Sequence, residues 1–191
     1  KRSAGRSAVA AAAYRSGTKL TNEWDGLTHD YTRKGGVVHA EIMLPAHAPP
    51  EFADRSTLWN SVEQIEKARD SQLAREIEAA LPRELSREQQ LALVRAYVKD
   101  NFVDKGMCAD FAIHDKGTGN PHVHIMLTLR PLKENGQWGA TSIVTPSSKY
   151  ETISSRIFAS SITSTSFSCA NAVVTNNVES AIVAIISATI F

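Results

Sequence analysis

The stretch that most constrains this chain is Asn120-Pro121-His122-Val123-His124-Ile125-Met126-Leu127-Thr128, in which polar and apolar residues alternate at the two-residue period of a β-strand. Successive side chains of a strand point to opposite faces, so His122 and His124 share one face while Val123, Ile125 and Leu127 share the other. A third histidine closes a second strand-like run, Ala109-Asp110-Phe111-Ala112-Ile113-His114. The residues between, Asp115-Lys116-Gly117-Thr118-Gly119-Asn120-Pro121, are turn formers, and the two runs therefore predict an antiparallel hairpin that folds His114 back beside the pair. Three neutral imidazoles with coordination positions to spare suit a divalent metal used as a Lewis acid; a plain solvated strand also tolerates such a pair.

Upstream, Ser7 caps a predicted short helix, Ala8-Val9-Ala10-Ala11-Ala12-Ala13-Tyr14-Arg15, which Gly17 stops. Tyr14 thus falls on the last turn, either as an amphipathic core aromatic or as an exposed hydroxyl available for chemistry. Residues 18–36 read as a loop or ragged hairpin carrying Tyr31, followed by an alternating strand from Val37 to Leu44. Amphipathic spacing predicts a helix within 52–70, from Leu58, Val62 and Ile65, and a second from Leu91, Val94, Tyr97 and Val98 behind a Ser86/Gln89 capping box. Residues 72–81 alternate and end at Pro82, which predicts a strand despite good helix formers.

Laid together, the strands predict an α+β fold, an antiparallel sheet with helices packed on one face. The opposite face would carry a polar row of His39 and Glu41, Glu76 and Glu78, Asp110 and His114, and His122 and His124. Such a row is either a working surface or an ordinary solvated one.

A net charge of +1 is not the footprint of a bulk nucleic-acid binder, yet residues 1–35 hold seven Lys and Arg against three Asp and Glu, a local basic surplus. Cys108 and Cys169 follow no metal or disulfide spacing, and no signal peptide or spanning helix is recognisable, so a reducing, cytoplasmic setting without membrane insertion is expected. The chain opens at Lys1 without an initiator Met, and a first strand is expected to be missing. From residue 141 the character changes: 141–191 contain four charged residues but twelve Ser and seven Thr, which sets an expected boundary between a domain at 1–140 and an atypical tail at 141–191 that is not its evolved continuation.

Four segments together resemble one family. Ser7-Ala8-Val9-Ala10-Ala11-Ala12-Ala13-Tyr14-Arg15-Ser16-Gly17, Gly36-Val37-Val38-His39-Ala40-Glu41-Ile42-Met43-Leu44-Pro45, Arg75-Glu76-Ile77-Glu78-Ala79-Ala80-Leu81-Pro82 and Asn120 to Leu127 are similar, in order and spacing, to the MobA/MobL plasmid mobilisation relaxases, over roughly residues 3–140. The resemblance implies a HUH endonuclease, a relaxase that nicks single-stranded DNA at a transfer origin and stays joined to the 5′ end through a phosphotyrosine. It implies Tyr14 as nucleophile, His114, His122 and His124 as ligands of a Mn or Mg ion, and accessory relaxosome proteins and a coupling protein as partners.

Glu76 and Glu78 are candidates to orient a histidine or accept the phenol proton, or else to pair with Arg75 or Arg83. Arg6, Arg15 and Lys19 would flank Tyr14 and hold DNA phosphates, or be ordinary surface cations. Tyr31 is a lesser candidate nucleophile. A rolling-circle replication initiator shares this chemistry but not the order of tyrosine before histidines, and a catalytically inactive single-stranded DNA-binding module is the further alternative.

Overall fold

A computed structural model describes residues 2–141 and 187–190. In chain order these form α1 (Ala8–Ser16), β1 (Lys19–Thr21), β2 (Thr28–Asp30), β3 (Val37–Met43), α2 (Arg55–Ile65), β4 (Arg75–Ala80), α3 (Arg87–Asn101), β5 (Ala109–His114), β6 (His122–Leu127) and β7 (Ser187–Ile190). β1 and β2 make a small hairpin, and the other strands form one antiparallel sheet in the order β3-β5-β6-β4-β7. The class is α+β, as the alternation of the strands predicts.

The helix ends follow local chemistry. The Ser7 hydroxyl accepts from Ala10 N at 3.1 Å to start α1, and Gly17, at φ 67°, turns the chain out of it in the left-handed conformation open to glycine. Ser86 and Gln89 complete the capping box of α3 reciprocally. α2 is shorter than the 52–70 window, because Pro50–Ala53 form a separate 3-10 turn and Asp54 caps the helix proper.

The helices divide between the two faces, where the sequence placed them on one. Ile77, Ala79, Phe111, Ile113, Val123, Ile125 and Leu127 pack beneath α3 through Leu93, Val94, Tyr97 and Val98. On the opposite face, α1 and α2 close over Cys108 and Met126 with Val9, Ala12, Leu58, Trp59 and Val62. Each large aliphatic side chain removed from water here contributes about 1.5–3 kcal/mol. The alanines of α1 matter for a second reason, since a small-residue surface lets a helix approach its neighbours closely.

That division revises the polar row. His39 stands opposite Ile113 and Glu41 opposite Phe111, so both lie on the α3 side, where Glu41 pairs with His39 and Arg95 at 2.8 Å. A register shift between Val37 and His39 accompanies the change. Asp110 does face α2, yet it is an anchor: both its oxygens accept from Arg55 and one from the buried Trp59 indole, all at 2.8 Å. Asp110→Asn is expected to cost about 2 kcal/mol, the usual worth of a buried hydrogen bond to a charged group, measurable as a lowered urea midpoint.

β7 pairs with β4 from Arg75↔Ile190 to Glu78↔Ser187. Residues 142–186 and 191 of the proposed tail, Cys169 among them, lie outside the described residues. Cys108 is buried, which pushes its thiol up to about 12 and leaves it inert.

Candidate metal and nicking centre

The β5–β6 hairpin sets His114 directly opposite His122, with His124 two residues further along β6. The three rings lie 4.7–5.5 Å apart by centroid, and one ligand atom from each falls within 4.8 Å of the others. The second ring nitrogen of each is already engaged by an oxygen. His114 Nε2 meets the Arg15 carbonyl at 2.7 Å, His122 Nδ1 the Asn120 carbonyl at 2.9 Å, and His124 Nδ1 the Glu76 carboxylate at 2.9 Å. An acceptor at one nitrogen of a neutral imidazole holds the ring proton there and leaves the lone pair of the other for a metal. Three converging lone pairs on a rigid hairpin fit a divalent metal with open positions.

Glu76 joins this centre to α1. It is buried, and its carboxylate accepts from Arg15 Nε and, at 2.8 Å, from Arg15 Nη2. Burial alone would push this carboxyl up, but the His124 and Arg15 hydrogen bonds and charges override it and hold it down at about 2. Glu76 is therefore an ionised orienting group at neutral pH, paired with Arg15 and His124. Glu78 sits at the rim, 55% exposed and 3.9 Å from His124 Nδ1.

Tyr14 projects from the last turn of α1 and is 43% exposed. Tyr31 meets its ring edge-on at 5.1 Å, and the Lys34 ammonium lies 3.7 Å from the ring centroid while donating to the Tyr14 carbonyl at 2.7 Å. Burial pulls Lys34 down to about 8, helped by the charges of Arg15 and Lys116 and opposed by Glu76. Tyr14, Arg15, Lys34, Lys116 and the three histidines line one cleft of about 410 Å³. Sequence reasoning did not single out Lys34, because a lysine in a Gly-rich loop carries no local signal of what it lies over.

The three basic candidates separate. Arg15 flanks Tyr14, but its guanidinium is turned to Glu76. Arg6 precedes the Ser7 cap, at the opposite end of α1 from Tyr14. Lys19 is exposed on β1 and paired in register with Asp30.

Burial depresses His114 to about 4, with the Arg15 carbonyl opposing and the charges of Lys34, His124 and His122 reinforcing. A histidine with a folded value below its unfolded 6.5 takes up its proton more readily when unfolded, so stability rises with pH between the two values. The metal-free domain is accordingly expected to weaken as pH falls from about 6.5 to about 4, by at most about 3 kcal/mol. Thermal melts in chelator across that range check this, and His114→Gln should flatten the dependence.

The profile of the MobA/MobL family matches residues 6–176. The chain belongs to that family. Its match extends past residue 140, where the resemblance read from the four segments stopped. MobA/MobL relatives are conjugal transfer and mobilisation proteins, which makes this a relaxase family. The chain is 49% identical over 149 residues to "Conjugal transfer protein TraA" of Agrobacterium fabrum (strain C58), covering 73% of the chain and 13% of that protein. It is 40% identical over 167 residues to "Mobilization protein MobL" of Acidithiobacillus ferridurans, covering 74% and 43%. A solved structure described as "Molecular Basis of Vancomycin Resistance Transfer in Staphylococcus aureus" superposes with a TM-score of 0.69 at 30% identity, over 82% of this chain and 80% of that one. The MobA/MobL chain thus spans only a small part of the curated TraA relatives. Among its described residues, no helix is long and apolar enough to cross a membrane.

Proposed function

We propose that this domain cuts one strand of DNA at a plasmid transfer origin by attack of the Tyr14 hydroxyl on a phosphodiester. The tyrosine oxygen forms a new ester with the phosphorus, the bond to the 3′ oxygen breaks, and that oxygen leaves as a hydroxyl, so the 5′ phosphate stays joined to the protein. Because one ester replaces another, the step is reversible and the strand can be rejoined.

The observation that carries the reading is the convergence of three histidines, each with its second nitrogen engaged, in the cleft that also receives Tyr14. A divalent ion such as Mn or Mg, held by His114, His122 and His124, would supply Lewis-acid neutralisation of the phosphate charge. The other contributions belong to the chain. Glu76 fixes the His124 ring and balances Arg15, Lys34 and Tyr31 hold the Tyr14 ring, and Lys116 adds positive charge at the cleft wall. Residues 1–140 are taken as the nicking unit, with accessory relaxosome proteins and a coupling protein acting on the covalent product in the cytoplasm.

The test is incubation with Mn²⁺ and a labelled single-stranded oligonucleotide spanning a transfer origin, followed by a denaturing gel. A slow-migrating protein–DNA adduct that chelator prevents is expected. Strand binding without an adduct, on an origin that a full-length relative cleaves, would favour the inactive binding module instead.

A further inference from the structure

The turn between β5 and β6 separates two pockets. Lys116, Thr118 and Asn120 line the histidine cleft, whereas Gly117 and Gly119 line a second pocket of about 340 Å³ with Arg83 and Arg87. The alternation depends on Gly117 and Gly119, whose φ values of 73° and 79° suit residues without a Cβ. The loop is therefore a thin septum, with cationic walls on both sides.

Arg83 is exposed and makes no ion pair among the described residues, and its Nη1 would lie 3.4 Å from a Cβ placed at Gly119. Arg87 pairs with Asp115 at 2.9 Å across the pocket mouth, both ends reaching solvent. Leu85 and Pro121 supply an apolar wall beside these charges. Two guanidiniums against one carboxylate, next to an apolar surface, is the chemistry that takes a phosphodiester with its attached sugar and base.

We infer that the second pocket binds a backbone phosphate of the same single strand, which crosses the 115–121 septum on its way out of the histidine cleft. Arg83 is the principal contact, and Arg87 joins it when the phosphate displaces Asp115. The inference rests on the nicking reading for the identity of the ligand, but the site itself needs neither metal nor cleavage. Its affinity is electrostatic and sequence-independent.

The test titrates the chain with fluorescent oligo(dT) of about 20 nucleotides in chelator, at several salt concentrations. Arg83→Gln is expected to weaken binding about five-fold and to lower the slope of log K against log salt by about 0.7, the value for one lost phosphate contact on a single strand. Asp115→Asn, which keeps an oxygen for its bond from the Gly117 amide and releases Arg87, is expected to tighten binding about two- to three-fold. A merely structural role would not produce opposite signs. Mn²⁺ binding should be the same for both variants and the unaltered chain. Unchanged affinity and slope in Arg83→Gln, while the chain still forms its adduct, would overturn the path alone. No oligo(dT) binding by the unaltered chain would overturn the path as well, and an adduct still formed on origin DNA would then leave the nicking reading intact.

Discussion

Tyr14→Phe is expected to abolish the covalent protein–DNA adduct, lowering its rate at least about 10³-fold, because the substitution deletes the oxygen that the proposed reaction joins to phosphorus. The phenylalanine ring keeps the edge contact with Tyr31 and the face offered to Lys34, so the cleft retains its shape. Exposure of Tyr14 argues in the same direction: a ring 43% exposed contributes little to the core, and the variant should melt within about 1 °C of the unaltered domain. Single-stranded DNA affinity and Mn²⁺ binding should also persist. An adduct that survives in Tyr14→Phe would transfer the role to another group, with Tyr31 the first to examine by the same substitution.

Glu76→Gln is the second large effect, and it acts through two partners at once. The carboxylate accepts from His124 Nδ1 and forks onto Arg15. An amide keeps one accepting oxygen but carries no charge, and its NH2 group, in place of the second oxygen, meets the Arg15 Nη2 donor with another donor. Loss of such an orienting partner typically costs 10- to 100-fold in metal affinity, and Mn²⁺ titration calorimetry should show a drop of about that size. The Arg15 guanidinium, 20% exposed, loses its counter-charge as well, which should lower stability by about 2–3 kcal/mol. Glu78→Gln is the internal control, since that side chain is largely in solvent and should change metal affinity less than about two-fold. Equal effects from the two variants would mean that general negative potential, not the His124 hydrogen bond, is what Glu76 contributes.

The hairpin histidines were legible because a strand of period two and a turn rich in glycine leave little freedom in where their side chains go. The helix bearing Tyr14 was legible from its cap, its alanines and its terminal glycine. Which sheet face each helix covers was not. α2 docks on the Asp110 side because Arg55 and Trp59 find their partners there, a pairing across 51 and 55 residues that no local pattern announces. His39 and Glu41 alternate as the sequence says, but alternation fixes only that they share a face, and the register against β5 decides which. The Arg15–Glu76 pair was hidden for the same reason, joining residues 61 apart.

Arg15 touches both halves of the centre, its carbonyl taking the His114 ring and its guanidinium taking Glu76. Tyr14 is the preceding residue, so its backbone is linked to the histidines through one peptide unit and two short bonds, while Tyr31 and Lys34 hold its ring. The candidate centre is consequently tied together by a short relay from α1 through Glu76 to the β5–β6 hairpin. A relay this short asks little of the chain beyond it, and the similarity to relatives falls on 13% of one relative's length and 43% of another's.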